Sequence, residues 1–236
     1  MPYVYLGAVV LASGLAGALF LRIADGRIAE AAAEEYEAKT AQTAESAEIS
    51  TENRVNRERM ISLFCLLIAC NAIAAFMHFF YGDTPWTILS ITLLCAALWA
   101  CAHCDRKTHL IPNRVLLWAV LFRTLLLGTE VLIMPNELPY DLVRSLIAAA
   151  ALFAVGMFCR LAAKGSIGYG DIKLLAVTGL YLETDRIWGS VFFTMVCSFL
   201  YSLFLLLTKR GTTKTEIPFA PLLLIGTVLS CFLTSV

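Results

Sequence analysis

The chain has 236 residues, of which 59% are hydrophobic and 15% charged; its formal net charge is zero and its mean hydropathy is +0.77. This composition excludes an ordinary water-soluble globular domain, and the balanced charge gives no reason to expect a nucleic-acid partner. It is typical of a polytopic membrane protein, whose partner is the lipid bilayer.

The first apolar stretch, residues 3–24, is long enough to cross a bilayer, which takes about 20 apolar residues. No basic segment precedes it, so it is predicted to be a first membrane span and not a cleaved signal peptide. Residues 25–59 then form an Ala/Glu-rich stretch without proline. This stretch is predicted to be a partly helical loop outside the membrane.

Further apolar segments follow along the chain. They are predicted at 60–81, 86–104, 113–134, 142–163, 171–182, 187–208 and 217–235. The predicted fold is therefore all-α, a transmembrane helical bundle with about eight spans. The segment 171–182 is short, which is typical of a helix that is buried among others or that begins at a cavity.

The positions of Lys and Arg predict the orientation of the bundle. When the connections are taken alternately, fifteen of these residues fall on one side, Arg144 and Arg186 fall on the other, and Arg123 falls within a span. The basic connections, which include 25–59 and 164–170, are therefore predicted to face the cytoplasm. Both chain termini are predicted to lie outside.

Two aspartates stand at helix ends on this predicted cytoplasmic face. Asp105 closes the third span, and Asp171 opens the sixth behind Gly168 and Gly170. Two carboxylates that converge cannot both ionise easily, so such a pair shares a proton. One can then take a proton from an attacking water while the other polarises a peptide carbonyl. Taken singly, each acid also fits a solvated or helix-capping residue.

Small and cyclic residues beside these acids also suit a site. Gly168 and Gly170 lack a Cβ and allow a substrate backbone to approach closely. Pro112, seven residues after Asp105, is predicted in the first turn of the fourth span, where proline is tolerated.

The residues around the second aspartate are more informative about function than the presence of two aspartates alone. The stretch KGSIGYGDIKLLAVTGLYL resembles the second-aspartate motif of the type IV prepilin peptidases, intramembrane aspartyl proteases with a G-x-G-D-x-K-L core. The matching positions here are Gly168, Gly170, Asp171, Lys173 and Leu174.

Two more stretches resemble the same family, in the family's order. DRKTHLIPNRV is similar to its first-aspartate motif, with Asp105, Pro112 and Asn113 at the matching positions. EIPFAPLLLIGT resembles the IPFGPFL stretch that precedes the last span of the family. The three motifs together cover most of residues 100–236, so 60–236 is predicted to be the peptidase core.

The resemblance implies an activity and a set of site residues. The expected substrate is a prepilin or a pilin-like secretion subunit, whose basic leader is cut at the cytoplasmic face without a cofactor. Many members also N-methylate the new N-terminus with S-adenosylmethionine; no glycine-rich motif for that donor is visible here, so this activity stays open. The implied catalytic residues are Asp105 and Asp171, and the residues implied to shape the site are Gly168, Gly170, Lys173, Pro112 and Asn113.

A zinc site is not expected. Long-form members bind zinc through two CxxC pairs in an insert after the first span, whereas residues 25–59 contain no cysteine. Near the first aspartate, Cys101, His103, Cys104 and His109 have no second ligand pair to complete a set. Packing of the two cysteines on one helix face is the favoured interpretation.

Three other charges lie in or beside predicted spans. Lys173 has two interpretations, as a group that tunes Asp171 or as an ammonium that reaches the membrane surface. Arg123 and Glu130, seven residues apart in the fourth span, are predicted to share a face toward the bundle interior. Glu130 is predicted nearer the outer end, as a structural or solvated charge.

Two other functions, a presenilin-like protease and a coupled transporter, could also use two aspartates of this kind. A presenilin-like protease also uses a G-x-G-D aspartate, but it expects Tyr before the first aspartate, where this chain has Cys104, and Pro-Ala-Leu near the end. A proton- or cation-coupled transporter would use the two aspartates as a relay. Transporters often contain internal repeats and midplane charges; this chain has no clear repeat, and its acids are predicted at one face. Neither the pilin system nor the oligomeric state follows from the sequence.

Overall fold

The computed structural model describes the chain in several stretches. They are 11–12, 14–26, 61, 65, 68–69, 72–81, 84–133, 138–162, 167–208 and 217–233. Nearly all of the predicted loop 25–59 lies outside these residues, so its prediction is not tested.

The described residues form helices and no strand, which agrees with the predicted all-α class. These are α1 (14–26), α2 (72–81, ending in a π-helical turn at Met77–Tyr81), α3 (Pro85–Thr108), α4 (Asn113–Ile133), α5 (Leu138–Ala162), α6 (Tyr169–Leu207) and α7 (Phe219–Leu233). Within the described stretches, three helical segments are long and apolar enough to cross a membrane: Pro85–Thr108, Leu142–Ala162 and Arg186–Leu207. The count of about eight spans stays a prediction.

The central helix of the bundle is α3. In its most apolar window 78% of the residues are buried, against 22% for the apolar segment of α5 and 11% for that of the later part of α6. Small residues such as Ala96 and Ala100, which are fully buried, allow the neighbouring helices to approach α3 closely. The apolar side chains exposed on α5 and α6 form the surface that a bilayer would cover.

The early part of α6 runs antiparallel to α5. A Cβ added to Gly156 would lie 3.2 Å from Cγ2 of Ile172, and one added to Gly179 would lie 2.9 Å from the carbonyl carbon of Ala148. Later residues of α6 therefore pair with earlier residues of α5, and the small glycines let the two backbones come close.

The later part of α6 runs antiparallel to α7. The Ser190 and Thr227 hydroxyl oxygens are 2.8 Å apart, and the Ser230 hydroxyl donates to the Arg186 carbonyl oxygen over 3.3 Å. Because residue numbers rise on one helix as they fall on the other, the start of α7 lies beside the last third of α6.

Both ends of α6 nevertheless lie at the same end of the bundle. The Ala220 amide, at the start of α7, is 3.0 Å from Oδ2 of Asp105. A Cβ on Gly170, at the start of α6, would lie 3.1 Å from the Cβ of Ile111, which follows Asp105 closely in the chain. A straight helix would hold the two ends of α6 about 57 Å apart. The helical chain must therefore reverse direction between Gly179, which lies beside α5, and Arg186, which lies beside α7.

This reversal agrees with the prediction of two separate apolar segments, and of the two limbs the second is long and apolar enough to cross a membrane. The first limb, 169–182, corresponds to the short predicted span 171–182, and the second limb, Arg186–Leu207, corresponds to 187–208. The first limb is enclosed by α4 and α5, whereas most of the second limb is exposed. The short span is thus a helix buried among others, one of the two alternatives its length suggested.

A buried arginine joins three helices near the end of the first limb. Arg123 of α4 is 2% exposed; it donates to the Leu180 carbonyl oxygen over 3.2 Å and to the Ser145 hydroxyl over 3.4 Å. It also lies 3.6 Å from the Glu130 carboxylate. The predicted shared face of Arg123 and Glu130 is therefore confirmed, and the pair is structural: a buried charge needs such partners.

The antiparallel contact between α6 and α7 gives a stability prediction. A Cβ on Gly226 would lie 2.7 Å from the Cα of Thr194, so Gly226→Ala must push the helices apart. We expect it to lower the free energy of unfolding by about 1–3 kcal/mol, the usual effect of overpacking. Thermal unfolding of the purified protein in detergent measures this change.

Gly128→Ala is the matched control. A Cβ at Gly128 meets nothing within 4 Å, so this substitution should leave the unfolding temperature unchanged or raise it slightly. Equal unfolding temperatures for the two alanine variants would contradict the close packing of α6 on α7.

Candidate active site

Asp105 lies in the last turn of α3 and is only 5% exposed. Its Oδ2 accepts a hydrogen bond of 3.0 Å from the backbone amide of Ala220, 115 residues away, and the amide of Phe219 also interacts with this carboxylate. The first amides of a helix have no partner within that helix. Asp105 therefore caps the start of α7 from another helix.

The chain turns sharply after Asp105. His109 ends α3 in the left-handed conformation with φ of 50°, and its amide donates to the Asp105 carbonyl oxygen over 3.0 Å. The imidazole of His109 also interacts electrostatically with the Asp105 carboxylate. A left-handed non-glycine residue costs roughly 1–2 kcal/mol, and the tight turn it makes keeps the following loop beside the carboxylate.

Pro112 stands one position earlier than the sequence predicts. Its carbonyl oxygen accepts the amides of Val115 (3.0 Å) and Leu116 (3.4 Å), which makes Pro112 the N-cap of α4 and not a residue of its first turn. The proline ring still fixes the backbone where the loop enters the helix.

Asp171 is the third residue of α6, and Gly168 is the N-cap of this helix. The interpretation of Asp171 as an N-cap is therefore wrong. Its carboxylate instead reaches back to the backbone amide of Gly168, as the third residue of a capping box does. A Cβ on Gly168 would lie only 3.2 Å from Asp171 Oδ2, so the glycine leaves room for this carboxylate.

Two contacts join the segments that bear the aspartates. Gly170 packs on Ile111, and the Lys173 ammonium donates to Oδ1 of Asn113 over 3.3 Å. Lys173 is exposed, and its hydrogen bond to Asn113 joins α6 to α4. All seven residues predicted from the sequence meet at one end of the bundle: Asp105, Asp171, Gly168, Gly170, Lys173, Pro112 and Asn113.

The two carboxylates influence each other. Asp171 lies outside the three segments that could cross a membrane. Its burial, and next the negative charge of Asp105, raise the pKa of Asp171 from the ordinary 3.8 to about 6, although the Gly168 amide acts in the opposite direction. The pair can therefore hold one proton between two carboxylates, a state that supplies an acid and a base at once.

Sequence reasoning missed two parts of this site. The first amides of α7 interact with the Asp105 carboxylate. The motif that contains them, EIPFAPLLLIGT, indicates a family resemblance but does not predict this contact. Arg160 of α5 lies with its guanidinium carbon 3.8 Å from the ring centroid of Tyr169 and donates to the Ile167 carbonyl oxygen. This contact fixes the position of the start of α6. No pattern in the sequence predicts it.

The described residues contain no group of three or more His, Cys, Asp or Glu side chains that could hold a metal ion. Cys101 and Cys104 are both buried in α3, which fits the interpretation that they pack in the helix core.

Comparison with known proteins bears on the same part of the chain. Residues 92–207 match the type IV leader peptidase family. This part of the chain is therefore similar to that family. The matched stretch contains Asp105 and Asp171 but ends before α7, so the contact between Asp105 and Ala220 is an observation of the structure alone.

A curated relative is the prepilin leader peptidase/N-methyltransferase of Bacillus subtilis (strain 168). The two proteins are 34% identical over 126 residues, which make up 53% of this chain and 48% of the relative. The chain thus spans about half the length of the curated relative it matches. No solved structure matches the chain.

The raised pKa of Asp171 predicts how stability depends on pH. In the unfolded chain an aspartate ionises near pH 4, whereas in the folded protein Asp171 ionises at about pH 6. The stabilisation from this group is therefore present below pH 4 and is lost as the pH rises through 6. Relative to Asp171→Asn, which does not ionise, the wild type should lose on the order of 1–3 kcal/mol between these pH values.

Thermal unfolding of both proteins in detergent across this pH range measures the difference. The two curves should differ least in slope below pH 4, where Asp171 is neutral in both the folded and the unfolded state. A difference that stays constant from acid to neutral pH would show that the Asp171 carboxyl is not perturbed.

Proposed function

We propose that the chain is an intramembrane aspartyl endopeptidase that removes the leader from prepilins or pilin-like secretion subunits at the cytoplasmic membrane face. The observation that supports this most strongly is the meeting of Asp105 and Asp171. They come from helices α3 and α6, yet they lie close enough that the charge of Asp105 raises the pKa of Asp171. They also fall in the stretch that matches the type IV leader peptidase family.

The chemistry follows from one shared proton. The ionised carboxylate takes a proton from a water molecule, whose oxygen attacks the carbonyl carbon of the scissile peptide. The protonated carboxyl donates a hydrogen bond to the carbonyl oxygen and stabilises the negative charge that develops there. The proton taken from water then passes to the leaving amine as the C–N bond breaks, which restores the pair to its starting state.

The exposure of the surrounding residues suggests where a substrate enters. Asp105 is buried, whereas Gly168, Asn113 and Lys173 are exposed, and Tyr169 is 57% exposed. The open side of the pair is therefore formed by the starts of α4 and α6. Since Gly168 has no side chain, an extended peptide can lie against the backbone at this point.

The proposed location is a bacterial inner membrane, with the aspartate end of the bundle facing the cytoplasm. The lysines and arginines predicted on the cytoplasmic side support this orientation. The basic leader of a prepilin would remain on that side, while its apolar helix lies in the bilayer.

A second activity is N-methylation of the new N-terminus with S-adenosylmethionine. The name of the Bacillus relative includes an N-methyltransferase, and the mass of the cleaved product tests this activity in the same assay. No step of the proposed proteolysis uses the methyl donor.

A cleavage assay tests the proposed peptidase. Purified protein in detergent is mixed with a prepilin that has a basic leader, and the products are separated by gel and identified by mass. We expect Asp105→Asn and Asp171→Asn each to reduce cleavage at least about a thousandfold, because each removes one member of an acid–base pair.

Glu130→Gln provides the control, since it makes the same carboxylate-to-amide change on α4, about 25 Å along that helix from Asn113. It should lower stability through Arg123 but leave kcat within a few-fold of the wild type. Cleavage retained by both Asp→Asn variants would reject the peptidase, and proton-coupled flux in liposomes that depends on the same two acids would favour the transporter.

A further inference from the structure

Asp105 and Asp171 have unequal surroundings, although each carboxylate accepts from a backbone amide at the start of a helix. Burial is the largest influence on the Asp105 carboxylate and disfavours its ionised form. Three partners from outside its own helical backbone oppose this effect: the amide of Ala220, the imidazole of His109 and the amide of Phe219. The carboxylate of Asp171 has one resolved partner of this kind, the Gly168 amide. Hydrogen-bond donors and a helix N-terminus both favour the ionised form of a carboxylate.

We propose that the N-terminal turn of α7 keeps Asp105 ionised, so that Asp105 is the base of the pair and Asp171 is its acid. This inference rests on the proposed function for its catalytic meaning. It assigns Ala220 a positioning role: its amide acts on the reaction through the Asp105 carboxylate.

The position of Ala220 in α7 explains why its amide interacts with the Asp105 carboxylate and not with a group in its own helix. Ala220 is the second residue of the helix and is fully buried, so its amide has no access to water and no partner in its own helix. Asp105 is also buried, at 5% exposure, so the bond between them is not weakened by solvent. The two groups therefore depend on each other: the amide needs an acceptor, and the carboxylate needs a donor.

Other charges at this end do not reverse the assignment. Asp25 of α1 pairs with His103 over 3.6 Å, and Lys173 donates to Asn113. Helix α7 has no charged side chain. Among the residues that the structure describes, the other charged or titratable side chains near these helix ends are Arg22 on α1, Arg106, Lys107 and His109 on or just after α3, Arg114 on α4, Arg160 on α5 and Asp171 on α6.

The division of roles gives a complete proton path. Asp105 takes the proton from the attacking water and becomes neutral, while the proton of Asp171 is shared with the carbonyl oxygen. When the C–N bond breaks, Asp105 gives its proton to the leaving amine and returns to the ionised state that the Ala220 amide stabilises. Asp171 recovers its own proton as the new carboxyl group forms.

Infrared titration of the full-length protein tests the assignment without a substrate. With ¹³C-labelled aspartate, the carbonyl band of a protonated Asp is followed in detergent from about pH 5 to pH 8, where exposed aspartates are already largely ionised. We expect a band in the wild type, its persistence in Asp105→Asn with a lower midpoint, and its loss in Asp171→Asn. A band that disappears in Asp105→Asn and persists in Asp171→Asn, or no band in the wild type, would overturn the proposal.

A backbone substitution tests the role of the α7 amide. Replacement of the Ala220 residue by its α-hydroxy analogue turns the amide into an ester and removes the N–H without changing the side chain. We expect kcat to fall about tenfold or more with little change in KM, the usual effect of losing a hydrogen bond to a charged group. We also expect the acidic limb of the pH–rate profile to move to higher pH, because Asp105 then ionises less readily.

The same replacement at Trp86 is the control, since Trp86 is the second residue of α3 and lies at the far end of that helix from Asp105. Equal effects at both positions, or a lower kcat with an unmoved pH profile, would overturn the positioning role. If no prepilin is cleaved but the infrared bands behave as expected, the proposed function fails while the ionisation assignment holds. If cleavage occurs and the bands follow Asp105, the assignment alone fails.

Discussion

The reversal of α6 is the constraint on which the candidate site depends. The first limb runs away from the aspartate end beside α4 and α5, and the second limb returns beside α7. Only this path lets Asp171, at the start of α6, and Ala220, at the start of α7, both lie near Asp105. The buried Arg123 binds the Leu180 carbonyl just before the reversal, so the bundle is tied together at the level where the chain turns.

Burial of a carboxylate such as Asp105 is costly, and the site offsets this cost with backbone amides. The first turns of α6 and α7 each present amides that lack intrahelical partners, and one aspartate accepts from each turn. Two helix starts thus stabilise two acids that repel each other. The same arrangement leaves the two acids in different surroundings, which is the condition for an acid and a base to coexist in one pair.

The sequence predicted most of the site but less of its geometry. The apolar segments predicted the positions of the helices well, because long apolar stretches are easy to detect in a sequence. The motifs contained all seven residues that meet at the aspartate end. Cap positions were less accurate. The N-cap of α6 is Gly168 and not Asp171, for which capping was one of two alternatives, and Pro112 lies just before α4 and not in its first turn. Such details depend on single backbone hydrogen bonds. The contact between Asp105 and Ala220 spans 115 residues, and hydropathy contains no signal for a pairing of that kind.

The most direct measurement of this account is a distance between the two ends of α6. Spin labels are attached at Tyr169 and Leu207, both exposed, through an unnatural ketone side chain, so that all eight native cysteines remain. The reversed chain predicts a backbone separation of roughly 16 Å, because the limbs differ by about 12 Å in length and neighbouring helices lie about 10 Å apart. A separation of about 57 Å would mean a straight helix and would contradict the shared site of Asp105, Asp171 and α7.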